Sequence, residues 1–147
     1  MSEIEIEIDG QLLSANQGDS IITIADREGI EVPRFCYHKK LSVAANCRMC
    51  LVDIEGVPKA QPACSTPAAS GMKIHTKNDR AKFAQKAVME FLLINHPLDC
   101  PICDQGGECE LQDVAMEYGS DVSKFNEGKR IVPDKGIGAL IQTDMTR

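Results

Sequence analysis

Seven cysteines and one histidine fall into two groups whose spacing could hold metal centres. The first group is Cys36, Cys47, Cys50 and Cys64, and the second is His96, Cys100, Cys103 and Cys109. No cysteine of the 147-residue chain is left over. Thiolates and imidazoles bind iron and zinc. An odd cysteine count, in a sequence whose acidic start fits neither a secretory signal nor a transit peptide, favours metal ligation over a disulfide framework.

The first group is spaced C-x10-C-x2-C-x13-C and suits a 2Fe-2S cluster. Such a cluster needs two thiolates on each iron, and an irregular loop lets backbone N–H groups point at its sulfides. Plant-type ferredoxins have a related pattern with a shorter first gap. A structural zinc site with four cysteine ligands is the alternative, although zinc ribbons usually pair two CxxC motifs and this group contains one.

The second group is spaced H-x3-C-x2-C-x5-C within the run HPLDCPICDQGGECELQ. Pro97 and Pro101 stiffen this segment, and Gly106-Gly107 allow the backbone to pass close to a bulky cluster. A histidine at a helix end is more often a capping or surface group, and only the three cysteines that follow make His96 a candidate ligand. Three thiolates and one imidazole could hold an iron–sulfur cluster or a tetrahedral zinc ion, and the spacing leaves both open.

The first third of the chain carries the signals of a hairpin and a short helix. Isoleucines at positions 4, 6 and 8 alternate with glutamates before Asp9-Gly10, which predicts a β-hairpin. Ser20 can begin a short helix that Gly29 ends. An irregular segment from Pro33 to Cys50 follows.

Two further strands are predicted, at Leu51 to Ile54 and at Met72 to Thr76. Together with the hairpin and the helix they predict a small α+β domain. The order of these elements places the first cysteine group in the irregular segments between them.

A second, longer helix is predicted from Asn78-Asp79 to about Asn95, before Pro97. We expect its buried face to be an apolar stripe of Phe83, Ala84, Ala87, Val88, Phe91 and Leu92. A third, short helix is predicted from Leu111 to Tyr118, closed by Gly119. From Ser120 onward the periodicity fades, which predicts a loosely structured tail.

Composition excludes several classes of function. Twenty-two acidic against sixteen basic residues give a net charge of −6 without a basic patch, so nucleic acid is not an expected partner. No run approaches the roughly 20 apolar residues of a transmembrane helix, and none is predicted. The sequence contains neither a Rossmann GxGxxG motif nor a P-loop, and we predict no catalytic residues.

Three segments resemble the large iron–sulfur subunit family of respiratory complex I, the NADH:quinone oxidoreductase. They are RFCYHKKLSVAANCRMCLVDIEG, CSTPAASGMKIHT and HPLDCPICDQGGECELQ. The third is the most specific. Related N-terminal modules occur in iron-only hydrogenases, NAD-reducing hydrogenases and some formate dehydrogenases, but Asp-Gln-Gly-Gly-Glu-Cys at 104–109 is most similar to complex I.

The resemblance implies a β-grasp 2Fe-2S ferredoxin-like domain over residues 1–78. It implies a small helical 4Fe-4S domain, ligated by His96 and the last three cysteines, over residues 79–119, and a tail over residues 120–147. In that family the His-ligated centre is a 4Fe-4S cluster. The implied function is an electron relay from NADH and flavin toward quinone.

The implied partners are other subunits of complex I, including the flavin-bearing subunit that oxidises NADH. The implied location is the cytoplasm, peripheral on the cytoplasmic face of a bacterial inner membrane. The family continues beyond a stretch like Thr143 to Arg147 into further cluster motifs, so we expect this sequence to be part of a longer polypeptide. The alternatives are an electron-input module of an NAD-linked hydrogenase or formate dehydrogenase, and a zinc-stapled interaction module.

Overall fold

The computed structural model describes residues 3–146, in two compact units that divide between Val88 and Met89. The elements of the first unit, in chain order, are β1 (Glu3–Ile8), β2 (Gln11–Asn16), α1 (Ile21–Arg27), β3 (Leu51–Ile54), β4 (Gln61–Pro62), β5 (Lys73–His75) and most of α2 (Asp79–Leu93). The second unit begins with the end of α2 and contains a 3-10 turn (Cys100–Ile102), α3 (Glu110–Tyr118), β6 (Lys135–Gly136) and β7 (Gln142–Thr143).

The first hairpin forms where the alternation of isoleucine and glutamate predicts it. Ile4, Ile6 and Ile8 are buried, whereas the glutamates between them are more exposed. Asp9 and Gly10 both have positive φ, at 48° and 86°, as a two-residue type I′ turn requires. The turn places Ile8 opposite Gln11 in the antiparallel register of β1 and β2.

The five strands form one mixed sheet in the order β2-β1-β5-β3-β4. β1 pairs with β5 in parallel, and the other pairs are antiparallel. The isoleucines of β1 share one core with the apolar residues of α1, which are Ile21, Ile22, Ile24 and Ala25. A mixed sheet that packs around one helix is a β-grasp arrangement, so the predicted α+β fold is confirmed.

The helix α1 ends in a Schellman motif at the predicted glycine. Gly29, with φ at 70°, donates its N–H to the Asp26 carbonyl, and Ile30 donates to the Ala25 carbonyl at 2.8 Å. These two bonds satisfy carbonyls that a helix end leaves unpaired. The chain therefore leaves α1 in a fixed direction toward the first cysteine.

A buried carboxylate fixes the start of α2. The Asn78 side-chain oxygen accepts the Ala81 N–H at 2.9 Å, which caps the helix as predicted. Asp53 of β3 is 9% exposed, and its two oxygens accept hydrogen bonds from Asn78 Nδ2 at 2.8 Å and Arg80 Nη1 at 2.9 Å. The ion pair of Asp53 and Arg80 therefore connects β3 of the sheet to the helix α2.

The predicted apolar stripe on α2 is wrong. Phe83 and Phe91 are both 74% exposed, and the buried residues of the helix are instead Ala81, Gln85 and Met89. Gln85 tolerates burial because its Nε2 donates to the Leu51 carbonyl at 3.0 Å. Hydrophobicity alone predicted the wrong face, because the amide Nε2 of Gln85 finds acceptors in the interior while its Oε1 is buried without a partner.

The second unit has almost no apolar core. Of its described residues, 89–146, only Met89 is buried. The helix α3 ends at Gly119 as predicted. The region from Ser120 contains the short β6–β7 hairpin, and Lys129 Nζ donates to the carbonyls of Leu93 and Ile94 at the end of α2, at 2.7 and 3.0 Å. The predicted loose tail therefore has more local structure than its sequence suggests.

Among residues 3–146, none of the helices combines the length and the apolar character that crossing a bilayer demands.

We expect Asp53→Ala to lower the free energy of opening of β3 and β5 by about 2 kcal/mol, because the change removes two hydrogen bonds to a buried charge. Amide hydrogen exchange of the intact protein measures this free energy. Glu55→Ala is the matched control, since Glu55 is exposed and its pair with His75 should contribute less than about 1 kcal/mol. Equal losses in the two variants would contradict a structural role for the buried charge.

Candidate iron–sulfur cluster sites

The sheet brings two of the predicted ligands together at the edge of the core. Cys50 immediately precedes β3 and Cys64 lies two residues after the end of β4, so the pairing of these strands brings the two cysteines close to each other. Ala63 donates its N–H to the Cys50 carbonyl at 2.9 Å. Both cysteines are buried, and the Cys64 side chain is close enough to Cys50 to affect the pKa of its thiol.

The other two ligands of the first group meet in the irregular segment between α1 and β3. Cys36 and Cys47 are half-buried, and the Cys36 side chain is close enough to Cys47 to help lower the pKa of its thiol. Ala45 and Arg48 adopt left-handed conformations, with φ at 51° and 59°. Such conformations in residues other than glycine are uncommon, and they turn successive N–H groups toward one side of a loop.

Backbone N–H groups surround the Cys47 sulfur. Burial raises the pKa of this thiol, but the N–H groups of Cys36, Met49 and Phe35 donate to its sulfur and together leave its pKa below the ordinary value. The loop is therefore arranged to stabilise negative charge on sulfur, as a thiolate-bound cluster requires.

The Cys50 thiol has the opposite electrostatics. Burial raises its pKa to about 12, opposed by the N–H of Cys64 and reinforced by the adjacent Cys64 thiol. Two buried thiols in contact cannot both ionise unless a positive charge joins them. Iron supplies such a charge, so the two cysteine pairs, Cys36 with Cys47 and Cys50 with Cys64, fit a cluster in which each iron takes two thiolates.

All four predicted ligands of the second group line one cavity in the second unit. Its volume is about 460 Å³, within the range of small-molecule and cofactor sites. His96 and the cysteines at 100, 103 and 109 contribute to its wall, together with Leu93, Leu98, Gln105, Gly106, Gln112 and Met116. The residues thus fit a bulky group held from several sides.

Glycine is needed where the loop of this site closes on itself. A Cβ at Gly106 would lie 2.5 Å from the Cys100 carbonyl oxygen and 3.1 Å from that of Cys103. Gly107 has φ at 89° and donates its N–H to Gln112 Oε1 at 2.9 Å, which ties the loop to the first turn of α3. Backbone packing therefore holds the cysteines around the cavity.

Within residues 3–146, no three His, Cys, Asp or Glu side chains surround a point where a single metal ion could be coordinated. The first group meets as two pairs and the second as residues around one cavity.

Sequence reasoning missed residues that support these sites. Asp26 and Arg34 form a two-point ion pair beside Cys36, and Gln112 fastens the second loop. Asp26 and Arg34 are eight positions apart and give no local signal, because only the fold brings them together. The Gln112 contact has a weak signal, since glutamine in the first turn of a helix often reaches back to a preceding N–H.

Comparison with protein families gives two matches. Residues 1–79 match a family described as "2Fe-2S iron-sulfur cluster binding domain", and residues 85–124 match one described as "NADH-ubiquinone oxidoreductase-G iron-sulfur binding region". They indicate one 2Fe-2S and one 4Fe-4S cluster, and so favour iron–sulfur clusters over the zinc sites that the spacing left open.

Known relatives are similar over nearly the whole chain. It is 54% identical over 98% of its length to the mitochondrial NADH dehydrogenase [ubiquinone] iron-sulfur protein 1 of Solanum tuberosum. It is 51% identical, again over 98%, to a subunit of the NADH-quinone oxidoreductase of Rickettsia bellii. It covers 20% and 21% of those proteins, so it spans about a fifth of the relatives' length.

Among solved structures, the NAD+-reducing NiFe-hydrogenase in its H2-reduced state matches with a TM-score of 0.73 and 25% identity. The match covers 89% of this chain and 58% of the hydrogenase chain.

We expect Gly106→Ala to remove the second cluster and leave the first, because the added methyl group would overlap the Cys100 carbonyl. Iron content in the anaerobically prepared protein should fall from about six to about two atoms per chain, and only the 4Fe-4S EPR signal should be lost. Gly128→Ala is the control, since its Cβ would meet no atom within 4 Å. Full iron content in Gly106→Ala would show that the close approach is not needed.

Proposed function

We propose an electron-relay function on one premise: the chain belongs to the family of 2Fe-2S iron–sulfur cluster binding domains. The proposed parent enzyme is respiratory complex I, in which the chain would carry electrons from NADH and flavin toward quinone. Similarity to NADH dehydrogenase subunits at 51–54% identity supports this enzyme. One observation supports the relay itself: Cys36 lies by Cys47 and Cys50 by Cys64, and the other three cysteines line one cavity with His96.

We assign the 2Fe-2S cluster to Cys36, Cys47, Cys50 and Cys64, within a domain of residues 1–78. The pairing of these thiols and the N–H groups around Cys47 support the assignment. We assign the 4Fe-4S cluster to His96, Cys100, Cys103 and Cys109, within a domain of residues 79–119. The cavity that these four residues line supports this set.

The clusters supply reversible one-electron transfer, and the protein supplies their position and electrostatic environment. Hydride transfer from NADH needs a two-electron acceptor such as a flavin, and the sequence carries no dinucleotide-binding motif. We therefore propose that a flavin-bearing partner subunit delivers the electrons. The proposed location is peripheral, on the cytoplasmic face of a bacterial inner membrane.

A hydrogenase input module is the second candidate, favoured by the structural match to the NAD+-reducing hydrogenase. Its identity of 25% is about half that of the NADH dehydrogenase relatives, which favours complex I. In both enzymes the chain would have the same role as a relay.

We expect His96→Ala to perturb only the 4Fe-4S cluster. The change removes the one imidazole among the proposed ligands, whereas the 2Fe-2S ligands lie in the other unit. EPR of the dithionite-reduced protein resolves the two clusters. His75→Ala is the matched control, because His75 lies on β5 and pairs with Glu55. An unchanged 4Fe-4S signal, or loss of the 2Fe-2S signal instead, would contradict the ligand assignment.

The relay function predicts that dithionite reduces the chain and NADH alone does not. Visible absorbance should bleach with dithionite and stay constant with NADH, because no two-electron acceptor is present. Adding the flavin-bearing subunit of complex I should confer reduction by NADH. A flavin-bearing subunit stripped of its flavin controls for nonspecific reduction. Bleaching by NADH without flavin or partner would overturn the relay proposal.

A further inference from the structure

Arg34 is attached to α1 by a two-point ion pair. Its Nη1 donates to Asp26 Oδ2 at 2.7 Å, and its Nη2 donates to Asp26 Oδ1 at 2.5 Å. The paired geometry fixes the plane of the guanidinium, which a lysine ammonium cannot reproduce. Arg34 precedes Cys36 by two residues, so the pair also fixes the chain that enters the first cysteine group.

An aromatic ring on the other side of Cys36 completes the contact. The guanidinium carbon of Arg34 lies 5.7 Å from the centroid of the Tyr37 ring, within the range of a cation–π interaction. The Tyr37 hydroxyl lies 3.3 Å from Thr23 Oγ1, which lies 2.7 Å from Ser20 Oγ. Residues on both sides of Cys36 are therefore attached to the same helix.

The Arg34 charge is held beside the segment that carries Cys36. Its side chain is 26% exposed and contacts Asp26 on one side of Cys36 in the chain and the Tyr37 ring on the other. Interactions between partly buried charges are screened less by solvent and salt than those between surface charges. Asp26, the other half of the ion pair, offsets part of this positive charge.

We propose that Arg34 is a positioning residue that also sets the reduction potential of the 2Fe-2S cluster, and that the negative charge of Asp26 opposes its effect. The inference rests on the first ligand set of the proposed function. Reduction adds one negative charge to the cluster, so a fixed positive charge nearby favours the reduced form and raises the potential. Neutralising Asp26 leaves that positive charge less compensated.

The two halves of the ion pair should therefore shift the potential in opposite directions. Arg34→Gln should lower the midpoint potential of the 2Fe-2S cluster, and Asp26→Asn should raise it. A purely structural role would give both variants the same effect, namely loss of iron without a shift in the clusters that remain.

The test is a redox titration of the cluster-loaded chain followed by EPR, with iron content measured on each sample. Arg34→Lys keeps the charge and loses the two-point geometry, so its potential should stay closest to that of the unsubstituted chain. Arg27→Gln is the matched control, because Arg27, the last residue of α1, is likewise an arginine paired with a carboxylate, Glu28, and its substitution should leave the potential unchanged. The 4Fe-4S potential is an internal control in every sample.

Opposite shifts in Arg34→Gln and Asp26→Asn support the proposal. Unchanged potentials at full iron content, or shifts of the same sign, overturn it. If Arg34→Gln retains no 2Fe-2S cluster, the potentials of Asp26→Asn and Arg34→Lys are compared instead. We expect a higher 2Fe-2S potential in Asp26→Asn, and equal potentials in the two variants would overturn the proposal. Absence of a 2Fe-2S signal in the unsubstituted chain would instead defeat the proposed ligand set.

Discussion

The contact between two buried thiols, Cys50 and Cys64, is the constraint on which the first unit depends. Burial favours neutral sulfur, whereas a cluster needs thiolates, so the protein must bring in compensating charge with the ligands. The fold does so in two ways. Strand pairing holds the buried thiols, and backbone N–H groups around Cys47 stabilise the charge on the more accessible side.

Helix α1 connects the two parts of this site, which are the pair Cys50 and Cys64 beside the strands and the irregular segment that leads to Cys36. At its start, Ile21 and Ile22 donate N–H groups to the carbonyls of Thr66 and Ala63, on either side of Cys64. At its end, Asp26 holds the segment that leads to Cys36. This short helix therefore sets the distance between Cys36 and Cys64, the first and the last cysteine of the first group.

Much of this architecture could be read from local patterns. The Ile/Glu alternation, the Asp9-Gly10 turn and the glycine that ends α1 each act through a few neighbouring residues, and the structure has them where the sequence predicts. The cysteine spacing predicts two ligand groups, and this assignment stays a prediction. Contacts that depend on tertiary structure could not be read in this way.

The face of α2 shows why local patterns fail there. A helix with phenylalanines at 83 and 91 looks as if it buries them, yet Gln85 is buried instead, with its Nε2 donating to carbonyls on β3 and after β5. The partners lie 34 and 9 residues away, and no window on the helix contains both. The ion pair of Asp26 and Arg34 could not be predicted for the same reason, because its partners are brought together only by the fold.

The near absence of an apolar core in the second unit determines how its stability depends on the inorganic cluster. The β-grasp unit buries sixteen of its described residues in one apolar cluster. The second unit, with Met89 alone buried among its described residues, has little to pack around except the group that its cavity holds. The 4Fe-4S cluster should then supply a larger share of the free energy of unfolding of the second unit than the 2Fe-2S cluster supplies to the first.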